Sequence, residues 1–450
     1  MKVKELYIKN YHQFEDFKLD LTYPAGHEKA GLPLDKVCFI GQSGTGKTSL
    51  LEMIHNFIKY SFYLNTIPDD SLQIGENDRM PNLSNLEFHI HKEVRVVAEI
   101  SKESIAFNPL SKKALIHRSN KNIFSEGVFP DSLISFFFPV DFTSNTGKSD
   151  SSNSVESKNL FLNFGGTSYS EIWQKINDQI VKFREYQIQF SLNISEIAKQ
   201  IGVKSEDILE ATKKYQEWEQ SNPNPLQDLA DKVLDKILNK FNLRVRTRLD
   251  FEKIEDVKAI KIETLDGQEV PYDFQSTGTR QVLLSMLPLY TLKPNRTAIF
   301  FDEPERSLYP DIQKEIVDIY TSLTTDCQFF YATHSPIIAS SFEPWEIVEL
   351  KFNPKTGKVY QELYYEGERH VDNYTINPQY LRWDDILGRL FDLEDEGNPK
   401  RTKALMRLAI LESKLKKNHI TPEEKETLWD EYAKLSKLTG WTTRMTNEKN

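Results

Sequence analysis

Hydrophobic positions along the chain follow two periods. Phe17, Leu19 and Leu21 alternate with charged neighbours, the two-residue period of a half-buried strand. The same alternation returns at Phe88 and Ile90 and at Val94, Val96 and Ala98, so 86–107 predicts an antiparallel sheet. Solid apolar runs mark strands covered on both faces: Val37, Cys38, Phe39 and Ile40, then 133–140, 298–301 and 328–332. Between them the period becomes helical. Leu50, Leu51, Ile54, Phe57 and Ile58 predict a helix directly after the 37–40 strand, and 281–292 and 311–323 predict helices flanking 298–301. Over 168–222 the chain is charged and mainly helical, with Trp173, Ile176, Ile180 and Phe183 on one face. Leu226, Leu229, Ala230, Val233, Leu234, Ile237, Leu238 and Phe241 predict a regular amphipathic helix. A hairpin is expected from 260–264 and 270–274 around Leu265, Asp266 and Gly267. After 341 come β-like stretches and a helical pair. Its second helix opens at Thr421, with proline in the first turn and Glu424 three residues after the cap. The Ser/Asn/Lys-rich segment 143–158 predicts an exposed loop, and no repeat of fixed period is present.

Composition narrows the class. With 450 residues, 39% of them hydrophobic and 12% aromatic, the chain can build two or three packed units without staples. A net charge of −10 argues against the basic coat of a dedicated nucleic-acid binder, although a local basic groove stays open. Two cysteines exclude a disulfide framework and fit a reducing compartment; Cys38 and Cys327 sit in apolar runs and are expected to be buried thiols. The longest apolar run, 133–140, is too short to cross a bilayer, and the opening residues lack a signal-peptide pattern. A soluble, cytoplasmic protein is expected.

The chemistry begins at the end of the 37–40 strand. Gly41, Gln42, Ser43, Gly44, Thr45, Gly46, Lys47, Thr48 and Ser49 form a phosphate-binding loop between an apolar strand and an amphipathic helix. Glycines let backbone N–H groups turn inward around phosphates, Lys47 neutralises the outer phosphates, and Thr48 offers a hydroxyl to Mg²⁺. The run 298–301 ends in Asp302 and Glu303. Asp302 suits the metal shell, and Glu303, one residue on and facing differently, suits the attacking water. His334 ends another apolar strand. Alone, such a histidine is more often a structural hydrogen bonder; after Glu303, in the string Thr333, His334, Ser335, it reads as a γ-phosphate sensor. Ser276, Thr277, Gly278 and Thr279 precede the helix at 281–292, where small residues ahead of a helix N-terminus make an anion site. An ordinary N-cap at Ser276 or Thr279 is the plainer alternative. A second phosphate element is redundant within one site and makes sense if it serves the ATP of a partner subunit.

The order phosphate loop, serine–glycine signature, Asp–Glu strand, histidine strand resembles the ABC-type ATPase heads of the SMC, RecF and OLD group over roughly residues 1–345. Lys4, Glu5, Leu6, Tyr7, Ile8, Lys9, Asn10, Tyr11, His12, Gln13 and Phe14 resemble the first strand of that group. The resemblance implies an α/β fold: a mixed sheet with a P-loop core, an antiparallel β subdomain, a short helical insertion and a helical C-terminal extension. It divides the chain into an N-terminal lobe (1–165), an insertion (166–225), a C-terminal lobe (226–345) and an extension (346–450) that would bind a partner. It further implies ATP and Mg²⁺ as ligands, Glu303 and His334 as catalytic groups, Thr48 and Asp302 at the metal, and a homodimer, or a higher homo-oligomer, in which Ser276 and Gly278 contact the partner's γ-phosphate. The segment 305–310 would cross the dimer. Two positions depart from the pattern: Asp141 stands where a lobe-junction glutamine is usual, and Gln275 where leucine is frequent.

The insertion occupies the place of the SMC coiled coil, but two helices of about 25 residues reach only about 40 Å. The stretch 380–388 and the helical pair after it are similar to small ATPases of antiphage defence operons such as Septu, PARIS and some retrons. Three functions stay open: the ATPase subunit of a defence system that controls a separate effector, expected to be a nuclease; an ATPase of DNA repair or DNA-end processing; and an OLD-type nuclease in one chain. The third lacks room, and the acids Asp384, Asp385, Asp392, Glu394, Asp395 and Glu396 read as a solvated charge run. The missing membrane segment, the insertion and the signature all argue against an ABC transporter. The acidic chain, short arm and helical tail lean toward the first, with DNA still open as a ligand.

Overall fold

The computed structural model describes residues 2–66, 94–100, 103–108, 113–116, 135–140, 161–163, 169–199, 205–222, 224–247, 260–363, 377–393, 397–416 and 421–441. The expected loop at 143–158, the alternating Phe88 and Ile90, and Asp141 lie outside the described residues. Contacts divide the chain into two compact units, 1–380 and 381–450.

One mixed sheet carries the first unit. Its outer half is antiparallel: β1 (Lys2–Tyr11) pairs with β2 (Phe14–Asp20) on one side and, on the other, with β4 (Val94–Ile100). From β4 the ladder continues to β5 (Glu103–Asn108) and β6 (Lys113–Ile116), which is the antiparallel sheet expected there. The inner half is parallel, in the order β14 (Ile347–Phe352), β3 (Lys36–Gly41), β13 (Gln328–Ala332), β12 (Ala298–Asp302), β7 (Ser135–Phe138) and β8 (Phe161–Asn163). β15 (Val359–Glu362) runs back along β14 and meets β2 at Val359 and Phe14, joining the halves. The last two strands among the described residues thus lie in the main sheet.

The solid apolar runs are strands with both faces covered. All five residues of β12 and of β13 are buried. On one face Phe39, Phe137, Phe300 and Phe330 pack with Leu50, Leu51, Ile54 and Ile58 of α1 (Lys47–Thr66). On the other, Phe301 stacks on Tyr320 with ring centroids 4.2 Å apart and on Phe138 at 4.6 Å. Each such side chain withdrawn from water contributes roughly 1.5–3 kcal/mol, which is why period-2 placement on both faces fixes the register. Cys38 lies in β3 and Cys327 just ahead of β13, both buried as free thiols.

A side-chain tie links β13 to β1, strands that are not neighbours in the sheet. Gln328, fully buried at the start of β13, donates to the carbonyls of Val3 (2.9 Å) and Leu34 (2.8 Å) and accepts from the Val3 amide (2.6 Å). Lys2 closes the same seam with Asp35 (2.6 Å) and Asp326 (2.9 Å).

The helical insertion comprises α2 (Tyr169–Lys199) and α3 (Ser205–Ser221), unequal rather than matched helices of 31 and 17 residues. Ile176, Ile180 and Phe183 are buried as the spacing predicts, and Phe183 and Tyr186 stack on Trp218 to hold the pair together. The side chain of Trp173 lies outside the described residues. The stretch expected to be one regular helix is segmented: α4 (Pro225–Leu229), a π turn (Ala230–Leu234), α5 (Asp235–Leu238) and a 3₁₀ turn (Asn239–Phe241). The π turn takes in one extra residue, and the apolar positions from Leu226 to Leu238 nevertheless stay buried. The expected hairpin is β10 (Ile262–Thr264) with β11 (Glu269–Val270), joined by β9 (Leu243–Val245) in a small antiparallel sheet. Pro271, lacking an N–H, ends β11 early, and 272–274 turns into a 3₁₀ helix. α6 (Thr277–Leu292), α7 (Pro310–Ser322) and α8 (Pro336–Ala339) complete the unit; α2 packs on α6 and α4.

The second unit holds α9 (Trp383–Arg389), α10 (Pro399–Leu415) and α11 (Pro422–Thr439). α10 and α11 share a core of Leu408, Leu411, Leu415 and Tyr432. The capping box read at Thr421 and Glu424 is formed, and Arg407 grips Glu431 through two bonds of 2.7 and 2.8 Å. Asp384 stands exposed and Asp385 half-buried in the first turn of α9, and 394–396 lie outside the described residues. The expected mixed sheet with a P-loop core, an antiparallel side, a helical insertion and a helical C-terminal part are all present. No described helix is long and apolar enough to cross a membrane.

Candidate nucleotide site

The phosphate loop leaves β3 and enters α1 at Lys47. Gly41 (φ +138°) and Gly46 (φ +85°) adopt backbone that L side chains rarely take. A Cβ at Gly41 would strike the Leu350 carbonyl of β14, and one at Gly46 would strike the side chains of Gln13 and Phe14. The loop therefore fits between β14 and the β1–β2 turn only because both positions lack side chains. Thr45 is buried, and its hydroxyl donates to the Gln42 carbonyl at 2.8 Å. Gln42, Ser43, Gly44 and Thr48 are exposed, so the outer rim is open to a ligand. Lys47 is buried, and its ammonium is held by the carbonyls of Gly41 (2.8 Å) and Gln42 (3.1 Å). Burial brings its pKa down to about 8, against the opposing pull of Glu303, Asp302 and Glu305.

Parallel pairing carries the other groups to the same sheet edge. β13 lies beside both β3 and β12, with Ala332 opposite Phe39 and Asp302 opposite Ala332. The residues following these three strand ends are the loop, Glu303 and His334. Asp302 is buried and accepts from the Thr48 hydroxyl at 3.2 Å. Burial raises its pKa to about 6, the Thr48 bond eases this, and Glu303, Glu52 and Glu305 add to it. Glu303 has left-handed backbone (φ +48°), and its N–H donates to the Ala332 carbonyl at 2.8 Å. This conformation is uncommon for a residue with a side chain and turns Glu303 away from the strand direction of Asp302. His334 is exposed; partial burial lowers its pKa, Lys47 adds to the lowering, and Glu303 opposes it.

These groups fit a magnesium nucleotide. A buried carboxylate beside a hydroxyl, with further carboxylates close enough to disfavour its charge, is relieved by a divalent cation. Among the described residues no three His, Cys, Asp or Glu side chains are grouped to hold a metal. Magnesium suits such a sparse site because it takes one or two protein ligands and completes its shell with phosphates and water.

The signature lies differently from its expected place ahead of the helix. Thr277, Gly278 and Thr279 form the first turn of α6, and Ser276 is its N-cap, accepting from the Thr279 amide at 3.1 Å. Ser276 and Thr277 are exposed, while Gly278 and Thr279 are buried. A Cβ on Gly278 would meet the Ser307 carbonyl, and Gln281 donates to the Pro304 carbonyl at 2.6 Å. The helix start is thus clamped to the loop after Glu303.

Three residues of this region make contacts that the sequence reading did not assign to them. Gln13 reaches the phosphate loop, its amide 3.4 Å from the Gly44 carbonyl; nothing local marks it. Gln281 is likewise silent in sequence. Glu305 carried a signal, being the third carboxylate in four positions after a core strand. Its Oε1 accepts from the Thr333 hydroxyl (2.7 Å) and the His334 amide (2.9 Å).

Residues 1–339 match the family described as AAA ATPase domain. Comparison with curated proteins gives no match. Among solved structures, an Smc head bound to the C-terminal winged-helix domain of ScpA aligns at 13% identity and a TM-score of 0.40, covering 80% of this chain and 98% of that one. A Pyrococcus furiosus Smc head with an extended coiled coil, bound to the C-terminal domain of ScpA, gives 13% and 0.35, covering 80% and 96%. The Thermotoga maritima SMC head gives 12% and 0.36, covering 80% and 98%.

Proposed function

The chain belongs to the AAA ATPase domain family, and from that premise we propose that it binds and hydrolyses ATP as a homodimer whose two sites are shared between subunits. The observation that supports this most is the division of labour around one sheet edge. Lys47, Thr48, Asp302, Glu303 and His334 follow the ends of adjacent parallel strands, whereas Ser276 and Thr277 cap a separate helix and stay open to solvent. In this proposal the backbone of 41–46 and Lys47 cradle the phosphates, and Thr48 and Asp302 hold magnesium. The ion, when bound, would supply charge neutralisation at the phosphates. Glu303 takes a proton from the attacking water, and His334 reads the γ-phosphate. Ser276, Thr277, Gly278 and Thr279 offer a helix N-terminus to the nucleotide held by the partner.

The dimer, or a higher homo-oligomer built from it, is proposed to act in antiphage defence and to hold or release a separate effector of nuclease type. Support comes from the acidic chain, an arm far too short to tether DNA over distance, and a C-terminal unit of paired helices suited to a protein partner.

Glu303→Gln keeps shape and loses the base. Hydrolysis should fall by roughly 10²- to 10⁴-fold while ATP binding persists, and nucleotide should then drive dimerisation in sedimentation experiments. Mixing Lys47→Ala chains with Ser276→Arg chains places both lesions at one interface and leaves the other intact, so part of the hydrolysis should return. Normal hydrolysis by monomeric Ser276→Arg would refute shared sites. The defence role predicts that a chain carrying Lys47→Ala, expressed with its neighbouring gene, no longer lowers phage plating; equal protection by parent and variant would refute it.

A further inference from the structure

Two clasps meet on the loop between β12 and α7. The loop is tightly wound: Glu303 and Ser307 both have left-handed backbone, the Arg306 amide donates to the Glu303 carbonyl at 3.1 Å, and the Leu308 amide to the Glu305 carbonyl at 2.9 Å. On one side it is held by α6, through Gln281 on the Pro304 carbonyl and the bare Gly278 against Ser307. On the other side it does the holding. The Glu305 carboxylate reaches across to the end of β13 and takes both the Thr333 hydroxyl and the His334 amide on Oε1.

The direction of these bonds is settled by the neighbours. The Thr333 hydroxyl accepts from the Ser335 amide at 2.9 Å, so its own proton is available to Glu305. Thr333 is fully buried and its amide donates to Phe39 of β3 at 3.1 Å. Ser335 in turn caps α8 and donates to Gln313 of α7 at 2.6 Å. The backbone before and after His334 is therefore anchored in the interior, while the His334 side chain itself is exposed. The second oxygen of Glu305 is buried and has no hydrogen-bond partner among the described residues. A fold gains little from a half-satisfied buried carboxylate, since an unmade bond in the interior costs more than a made one returns. A carboxylate in that setting points to a task other than stability.

We propose that Glu305 is a positioning residue: its clasp on Thr333 and His334 fixes the imidazole of His334 relative to Glu303 and Lys47. The inference rests on the reading that this chain hydrolyses ATP with His334 at the γ-phosphate. Glu305 touches no reacting atom in it and acts only through His334. A misplacement on the scale of an ångström in such a group costs up to about 100-fold in rate.

The test is a double-mutant cycle on the full chain, with ATP affinity and kcat measured separately. Glu305→Ala should leave the Kd for ATP within about twofold and lower kcat by roughly 10- to 100-fold. Glu305→Gln, which still presents an acceptor oxygen to both donors, should recover most of that loss. In a His334→Ala background the cost of Glu305→Ala should shrink below about twofold, because the group it positions is gone. A merely structural role would lower kcat equally in both backgrounds, and that outcome overturns the proposal, as does a parental kcat in Glu305→Ala. Should Glu305→Ala fail to fold, Glu305→Leu, which fills the space without accepting, runs the same cycle. If the parent chain does not hydrolyse ATP, the functional reading itself has failed. If the parent hydrolyses and His334→Ala slows it but Glu305→Ala does not, only the positioning role has failed.

Discussion

Glu346 carries a carboxylate into a position almost sealed from water, where its partners are the Glu343 amide at 2.9 Å and Lys36 at 3.4 Å. Burial outweighs these partners and lifts its pKa from 4.5 to about 7. The sign follows directly. An acid whose pKa is raised by folding supports the native state below its unfolded value. That support is lost as pH climbs from about 4.5 through about 7, where the buried group ionises. Glu346→Gln removes the charge and keeps the shape. It should be more stable than the parent by about 1–3 kcal/mol at pH 8, with the advantage fading below pH 5. Urea unfolding at the two pH values checks this, and a less stable variant at pH 8 would mean that the Lys36 pair prevails. The burial of Glu346 was invisible in the sequence, since it sits among ordinary charged neighbours and only contacts such as that with Lys36, distant in the chain, make it unusual. Glu305 stood out as a third carboxylate after β12, but its bonds to Thr333 and His334 left no mark on the local pattern. Lys47, Asp302, Glu303 and His334 could be read because each ends or follows an apolar run, so their chemistry is written in local order.

Elements were legible where burial on both faces leaves a solid apolar run, as in β3, β12 and β13. They were blurred where neighbours decide. The helix at 226–241 shows the right spacing, yet the extra residue of its π turn leaves no mark on that spacing. The strands β14 and β15 read only as β-like stretches, since their place beside β3 and β2 depends on pairing and not on local pattern. β9 is three residues long and was missed. The tie between β13 and β1 makes a sharp test at this scale. Gln328→Leu would fill the same space and leave the Val3 amide and the Val3 and Leu34 carbonyls without their partner. The expected cost is about 2–4 kcal/mol, from several buried backbone groups left unsatisfied. Denaturant titration measures it, and a change under about 0.5 kcal/mol would show that the seam is held by Lys2 and packing instead.

At the scale of the molecule, the nucleotide site belongs to the first unit, 1–380, and the helices after 381 form a unit of their own. Within the first unit the mixed sheet has a further consequence, for the order in which the protein can be made. β3, which launches the phosphate loop, lies between β13 and β14, and the Val3–Gln328 tie spans 325 positions. Early residues leaving the ribosome therefore emerge without the strands that flank them, and such long-range pairing is slow to close. The loop that leaves β3 is thus synthesised before either strand that flanks it. A fragment ending at residue 320 contains Lys47 and Thr48 but lacks both neighbours of β3, so it should bind no ATP where the full chain does. Comparable affinity in the fragment, by direct titration, would show that the loop forms without its sheet. Until translation passes β14, β3 lacks the strands that pair with its two edges, although α1 can already pack on Phe39. That interval, rather than the finished fold, is when the unpaired edges of β3 are open to wrong pairing.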